Sequence, residues 1–346
     1  MFFTPSLPAW ALLALASLSS ARRCTDLTVE VPVVARNAFF NIRAPTNNIE
    51  VTDFILNYTR QGYNFTNDLL QGYSQWNKAY NVFATYCEPD KGPSDTVQLL
   101  THGIGFDRGY WDVDINDFNY SYTQVANDEY GYSTFAWDRL GIGRSEHGHA
   151  FNEIQSFLEI GALNALTQQL RNGSIKGISK SFNKVVHVGH SFGSILSYSL
   201  EVLHPNASDG LVLTGFSHVS EYKPYFALGS NFVLAKSLEP FKDYEDGYLA
   251  NGSPSGVQTD YFATGSFDPA LLDLAVKWGK PVAIGELLTF AGASTEPNPL
   301  KGPVMIITGG ESDSLLVKPE LKSRYTDIPQ NETSHFAEEI ALRQGL

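Results

Sequence analysis

The sequence predicts an α/β fold in which a mostly parallel central sheet carries helices on both faces and a cap is inserted late in the chain. Three observations predict it. Short β-branched runs alternate with apolar segments at helical spacing, the pattern of strands buried on both faces and joined by crossover helices. One run, Val185-Val186-His187-Val188, breaks at Gly189-His190-Ser191-Phe192-Gly193 and resumes with Leu196, Leu200 and Leu203 at helical spacing. The 86 residues from Ser217 to Gly302 are too many for a connection and read as an inserted subdomain.

In chain order, residues 1–21 contain no charged side chain, have an apolar centre from Ala9 to Leu18 and end in Ser19-Ser20-Ala21. That pattern predicts a secretory signal peptide. The missing basic start leaves an uncleaved anchor as the alternative, although the apolar run is shorter than the roughly 20 residues a membrane span needs. Residues 22–96 read as an N-terminal extension with the first strands. Leu27 to Ala35 alternates partly, with Pro32 restricting it to an edge or a break; residues 51–72 are mixed and read as helical; Tyr80 to Tyr86 alternates again and runs into Cys87.

Residues 97–216 read as the core. Val97 to Leu100 is a short strand followed by the turn Thr101-His-Gly-Ile-Gly-Phe106, and Tyr132 to Trp137 is a strand followed by Asp138-Arg-Leu-Gly-Ile-Gly-Arg-Ser145. Residues 153–172 carry Ile154, Phe157, Leu158, Ala162, Leu163, Leu166 and Leu170 at helical spacing, with Asn152 as N-cap and Gly173 as stop. Leu211 to Thr214 is the last strand before the inserted cap, residues 217–302. Of the cap's aromatic residues Tyr222, Tyr225, Phe226, Phe232, Tyr244, Tyr261 and Phe262, most are expected to pack the cap's own core rather than line a pocket. Residues 303–346 begin with the strand Val304 to Thr308 and form an atypically short C-terminal core segment.

Composition bounds the function. A chain of 346 residues that is 43% hydrophobic and 18% charged is an ordinary globular one. Its net charge of −13 argues against nucleic acid or an anionic membrane as partner, since either demands a basic face. Sequons stand at Asn57, Asn64, Asn119, Asn172, Asn206, Asn251 and Asn331, seven in all. Chance on this composition gives roughly three, so the excess points to a glycosylated, secreted protein. The two cysteines, Cys24 and Cys87, would pair in an oxidising compartment; two unpaired buried thiols are the alternative.

The chemistry centres on Ser191. In a Gly-x-Ser-x-Gly turn between strand and helix, the glycines let the backbone pass close to itself and the serine hydroxyl stands exposed as a nucleophile. Such a motif arises by chance about once in five chains of this length and composition, so its strand-and-helix context carries the inference. Serine attack needs a base, an orienting acid and oxyanion donors. The order nucleophile, acid, base selects Asp313 in Gly309-Gly-Glu-Ser-Asp313, with Glu311 as the alternative. His335 is then the base by elimination, 22 residues further on. The oxyanion donors are the backbone N–H groups of Phe192 and Ile104, with His102 holding the turn. His147-Gly-His149 lacks a third ligand at metal-binding spacing and reads as a solvated loop. Asp112, Asp114 and Asn116 begin like a calcium loop, but Asp117 and Thr123 stand where glycine and glutamate are required. Asp138 is expected to hold the glycine-rich turn that follows it. No metal or cofactor is expected.

The His102-Gly103 turn, Asp138 to Ser145, the Gly-His-Ser-Phe-Gly elbow and Gly310-Glu-Ser-Asp313 together resemble the α/β-hydrolase superfamily. The likeness spans about residues 22–313 and is strongest to secreted fungal members with an N-terminal extension and an inserted cap. It implies a serine esterase or lipase-like carboxylic ester hydrolase acting through an acyl-enzyme on an apolar small-molecule ester, with no stable membrane anchor. Some similar hydrolases act in secondary-metabolite pathways, so a hydrolase or acyltransferase of that kind is one alternative. Such relatives usually continue past the acid to a Gly-His base and a final helix. The short tail here makes an impaired or non-catalytic binding protein the other alternative.

Overall fold

Residues 22–218 and 223–308 are described by a computed structural model. Strand β1 (Arg23–Phe40) pairs antiparallel with β2 (Leu70–Glu88), with helices α1 (Asn48–Tyr58) and α2 (Phe65–Leu69) between them. Leu27, Val29, Val31, Val33 and Ala35 all point inward from β1, while Pro32 faces out on this edge strand, where its missing N–H breaks no central ladder. Cys24 and Cys87 are directly opposite in register and joined by a disulfide across 63 residues of chain.

From β2 the sheet continues through β4 (Ser133–Trp137), which is antiparallel to it. It then runs parallel through β3 (Thr96–Thr101), β5 (Lys184–His190), β6 (Gly210–Thr214) and β10 (Val304–Ile307), giving the order β1-β2-β4-β3-β5-β6-β10. The central strands are buried on both faces, as their unbroken apolar sequence requires. Leu99 and Phe135 pack with α4 (Ser156–Asn172) and α5 (Phe192–Leu203) on one face. Leu100 and Ala136 pack on the other with Trp111, Val125 and the short α3 (Tyr122–Gln124).

Between β6 and β10 the described residues add further helices and a second, small sheet. Helix α6 (Lys223–Gly229), strands β7 (Phe232–Leu234) and β8 (Tyr248–Asn251), helices α7 (Pro254–Tyr261) and α8 (Pro269–Trp278), strand β9 (Val282–Ala283) and helix α9 (Ile284–Leu288) follow in order. The three strands make a small antiparallel sheet. Ser253 and Asp268 cap α7 and α8, each followed by proline at the first helical position, where a missing N–H costs nothing.

Two local expectations are corrected. The stretch 51–72 is not one helix: α2 ends at Leu69 and β2 starts at Leu70, ten residues ahead of Tyr80. Those ten residues pair only with β1 and are exposed or half-buried throughout, so they lack the apolar alternation that marks a strand. Asn152 does not cap α4, which begins after Gln155. Its Oδ1 accepts the Phe40 N–H at 2.8 Å, and Gln155 Oε1 accepts the Ala38 N–H at 2.9 Å, so these side chains fasten the helix entrance to the end of β1. Gly173 ends α4 in the left-handed conformation at φ 70°.

Candidate active site

Ser191 sits between β5 and α5 with φ 51° and ψ −115°, a backbone conformation rarely adopted outside glycine. The chain is held there by hydrogen bonds on both sides. The Ser191 N–H donates to Thr214 O at 2.8 Å, and Ser191 O accepts from the Ser194 and Ile195 N–H groups at 2.9 and 3.2 Å. The flanking glycines are required by contact. A Cβ on Gly189 would lie 2.4 Å from Gly193 O, and one on Gly193 would lie 2.0 Å from Thr101 O. Elbow and central strand therefore touch backbone to backbone.

The same closeness brings the His102-Gly103-Ile104 turn to Ser191: a Cβ on Gly103 would be 3.2 Å from Ser191 Cβ. Three successive carbonyls, from Gly103 to Gly105, are engaged. Gly103 O accepts from His102 Nδ1 at 2.8 Å and from Arg139 Nη2 at 3.4 Å, Ile104 O accepts from Tyr261 Oη at 3.2 Å, and Gly105 O accepts from the Lys280 N–H at 2.8 Å. Because the C=O and N–H of one trans peptide point in opposite directions, fixing Gly103 O also fixes the direction of the Ile104 N–H. Among the described residues the Ile104 N–H has no acceptor, and the Phe192 N–H, first in α5, has none within its helix. These are the two amides the sequence nominates as oxyanion donors.

His102 is fully buried, and its Nε2 accepts the Arg139 N–H at 3.1 Å. Burial, with the Arg139 charge adding to it, holds its imidazole well below the ordinary histidine range, which agrees with a neutral ring donating from Nδ1. Arg139 is itself fully buried, with Nη1 shared between Glu159, at 2.7 Å, and Glu286 of α9. Burial pushes Glu159 well above the usual carboxylate range despite Arg139, and the Glu286 charge pushes the same way. One guanidinium thus ties the turn, α4 and the inserted segment together. Asp138 accepts the Arg144 N–H at 2.9 Å and the Arg108 N–H at 3.0 Å, closing the turn after β4.

Ser191 opens into a cavity of about 330 Å³. Tyr110, His190, Ile195 and Phe216 line it from the core, and α6 to α9 with the segment after α9 supply the facing wall. Tyr225, Phe226, Tyr261 and Phe262 are in that wall, whereas Phe232 and Tyr244 are not and Tyr222 lies outside the described residues. The expectation that most of these aromatic residues pack a core of their own is therefore corrected: four of them, two on α6, one ending α7 and Phe262 just after it, line the cavity that Ser191 enters. His190 stacks on Tyr110 at 4.6 Å between centroids, and its Nδ1 is 2.9 Å from Thr214 Oγ1. Burial lowers it to about 4, so it is neutral at physiological pH. His218 also lines the cavity; its Nδ1 donates to Ser294 O at 3.0 Å, which leaves Nε2 as an acceptor.

Other nominated residues fall as follows. Asp313, Glu311, His335, Asn331 and residues 1–21 lie outside the described residues. Asn57, Asn64, Asn119, Asn172 and Asn206 are exposed; Asn251 is half-buried, with Nδ2 donating to Ser230 O and to Asp260 Oδ2, each at 3.0 Å. His147 packs on Tyr244 at 4.5 Å, and His149 Nδ1 accepts from the Phe151 N–H. Asp112 is taken by Arg22 and Ser121, each at 2.6 Å. No group of three side chains suited to a metal is found among the described residues.

No family model matches the chain, and no curated protein does. Solved structures similar to it include a thermophilic esterase from Thermogutta terrifontis, 16% identical over 73% of this chain and 84% of that one, with a TM-score of 0.46. An esterase from Exiguobacterium antarcticum is 15% identical over 70% and 81%, with a TM-score of 0.44. An epoxide hydrolase from Vigna radiata is 13% identical over 66% and 76%, with a TM-score of 0.42. The chain's own strand order, its parallel core and the strained serine between β5 and α5 give it the α/β-hydrolase fold.

Proposed function

We propose that this protein is a secreted, N-glycosylated serine hydrolase that cleaves carboxylic esters through an acyl-enzyme. The observation that carries the reading is the juxtaposition of a strained Ser191, an adjacent turn whose free amide is aimed by its bonded carbonyls, and a mainly aromatic cavity. In this reading the Ser191 hydroxyl attacks the ester carbonyl and the Ile104 and Phe192 amides receive the oxyanion. The base returns the serine proton to the leaving alkoxide, and water then releases the acid and regenerates Ser191. Sequence order assigns acid and base to Asp313 and His335.

His218 offers a second candidate base, because it lines the same cavity with Nε2 free of protein donors among the described residues. Turnover of p-nitrophenyl butyrate by Ser191→Ala, His335→Ala and His218→Ala separates the roles. The reading expects loss of about 10⁴-fold or more for Ser191→Ala and His335→Ala and a much smaller change for His218→Ala. The opposite order for the two histidines would move the base to His218. Undiminished turnover by Ser191→Ala would remove the serine mechanism.

A further inference from the structure

Five described lysines stand against carboxylates, Lys78 with Glu146 and Glu153, Lys180 with Asp95, Lys236 with Asp246, Lys242 with Glu239 and Lys280 with Asp107, and five more, Lys91, Lys176, Lys184, Lys277 and Lys301, are exposed to solvent. Lys223 has no carboxylate partner among the described residues. It lines the cavity beside Ser191, and among the described residues it is the cavity's sole lysine or arginine. The nearest recorded contact of its ammonium is the face of Phe290, 5.3 Å from the ring centroid. The one carboxylate that lines the cavity among the described residues, Asp260, is engaged elsewhere, with Oδ2 2.5 Å from Ser230 Oγ and 3.0 Å from Asn251 Nδ2.

An ammonium in a recess of Tyr, Phe, Leu and Trp with no anion beside it among the described residues is costly, and burial pushes Lys223 below the ordinary lysine range. Lys223 stands in the wall of the cavity into which Ser191 opens, over the ring of Phe290. We infer that Lys223 is a specificity-determining residue that pairs with a carboxylate on the acyl part of the ester, so that preferred substrates are half-esters of dicarboxylic acids with an apolar body. The net charge of −13 offers such an anion no long-range attraction, so discrimination rests on this local contact. The inference deepens the serine-hydrolase reading and depends on it for the word ester; the carboxylate site itself does not.

Two measurements separate the two claims. The first compares kcat/KM for the p-nitrophenyl monoester of glutaric acid with that for its neutral isostere, the p-nitrophenyl ester of glutaramic acid. The wild type should favour the anion by about 10- to 100-fold, the range of a charge-assisted contact; Lys223→Met should bring the ratio near one, and Lys223→Arg should keep part of it. The second is calorimetric binding of glutaric acid monoanilide and of its terminal amide to the Ser191→Ala protein, which needs no hydrolysis. Tighter binding of the acid, lost in Lys223→Met, supports the site even if no ester is turned over, and then only the hydrolase reading fails. Indifference to the carboxylate in both measurements, by the wild type in turnover and by Ser191→Ala in binding, overturns the inference. So does a Lys223→Met protein that keeps the wild-type ratio.

Discussion

Replacing Gly193 with alanine places a methyl group 2.0 Å from Thr101 O, 2.7 Å from the Thr101 carbonyl carbon and 2.7 Å from His102 O. Real Cβ atoms essentially never approach closer than 3.0 Å, so Thr101 O and the start of α5 must separate by about 1 Å. Neither side yields easily. Thr101 ends β3, which is paired with β4 on one side and β5 on the other, and α5 is anchored through Ser191 to Thr214. The displacement therefore passes along Thr101 and His102 into the turn that carries the Ile104 amide, moving a proposed oxyanion donor relative to Ser191. Misplacement by about 1 Å can cost 10²-fold in rate, and overpacking costs about 1–3 kcal/mol in stability. Gly193→Ala should thus lower kcat for p-nitrophenyl butyrate by about 10²-fold and lower the urea midpoint. Gly103→Ala, whose methyl would meet His190 O at 3.1 Å and Ser191 Cβ at 3.2 Å, should have the smaller effect on stability. A Gly193→Ala enzyme within threefold of wild type, with an unchanged midpoint, would refute the argument that elbow and turn are in backbone contact.

Arg139→Met leaves Glu159 and Glu286 buried without their cation and should cost about 3–5 kcal/mol in chemical denaturation. Glu159→Gln should cost far less, because burial already favours the protonated Glu159 carboxyl. Asp260 supplies a pH dependence. Burial raises its carboxyl to about 7, outweighing the hydrogen bonds that Ser230 Oγ and Asn251 Nδ2 donate to Oδ2 at 2.5 and 3.0 Å. Its folded value lies above its unfolded value, so this contribution is complete below about pH 4 and is lost as pH rises toward about 7, by at most about 1.4 kcal/mol per pH unit. Denaturation midpoints at pH 4.5, 6 and 8 should show wild type losing ground to Asp260→Asn as pH rises; parallel profiles would contradict this. Glycopeptide mapping of secreted protein should find Asn251 unoccupied while exposed sequons such as Asn57 and Asn172 carry glycan, since a sugar on Asn251 Nδ2 would break its bonds to Ser230 and Asp260.

Much of the sheet was legible because its central strands are buried on both faces and so are written as unbroken apolar runs; the elbow stood out because its glycines interrupt one of them. The outer half of β2 was not legible, since Leu70–Ala79 extends beyond β4 and pairs only with β1, leaving no buried face to impose alternation. Asn152 has the composition of a cap but is used by Phe40, 112 residues away, a partner no local pattern encodes. The same holds at the site. Ser191 and its two amides are set by short-range backbone geometry, which sequence motifs record. Arg139 was read only as part of a turn, because its partners Glu159 and Glu286 are 20 and 147 residues distant. Lys223 was invisible for a simpler reason: a place in the wall of the Ser191 cavity is a property of the folded neighbourhood, and the residue type alone does not carry it.

The central claim is that Ser191 is an activated nucleophile. Incubation with a fluorophosphonate followed by peptide mass spectrometry tests it directly, because the probe phosphonylates a serine that has a working base and oxyanion site. The account predicts one covalent adduct, on the peptide containing Ser191, formed by the wild type and absent from a folded Ser191→Ala protein. A folded wild type that remains unmodified, or an adduct mapped to another serine, would contradict it.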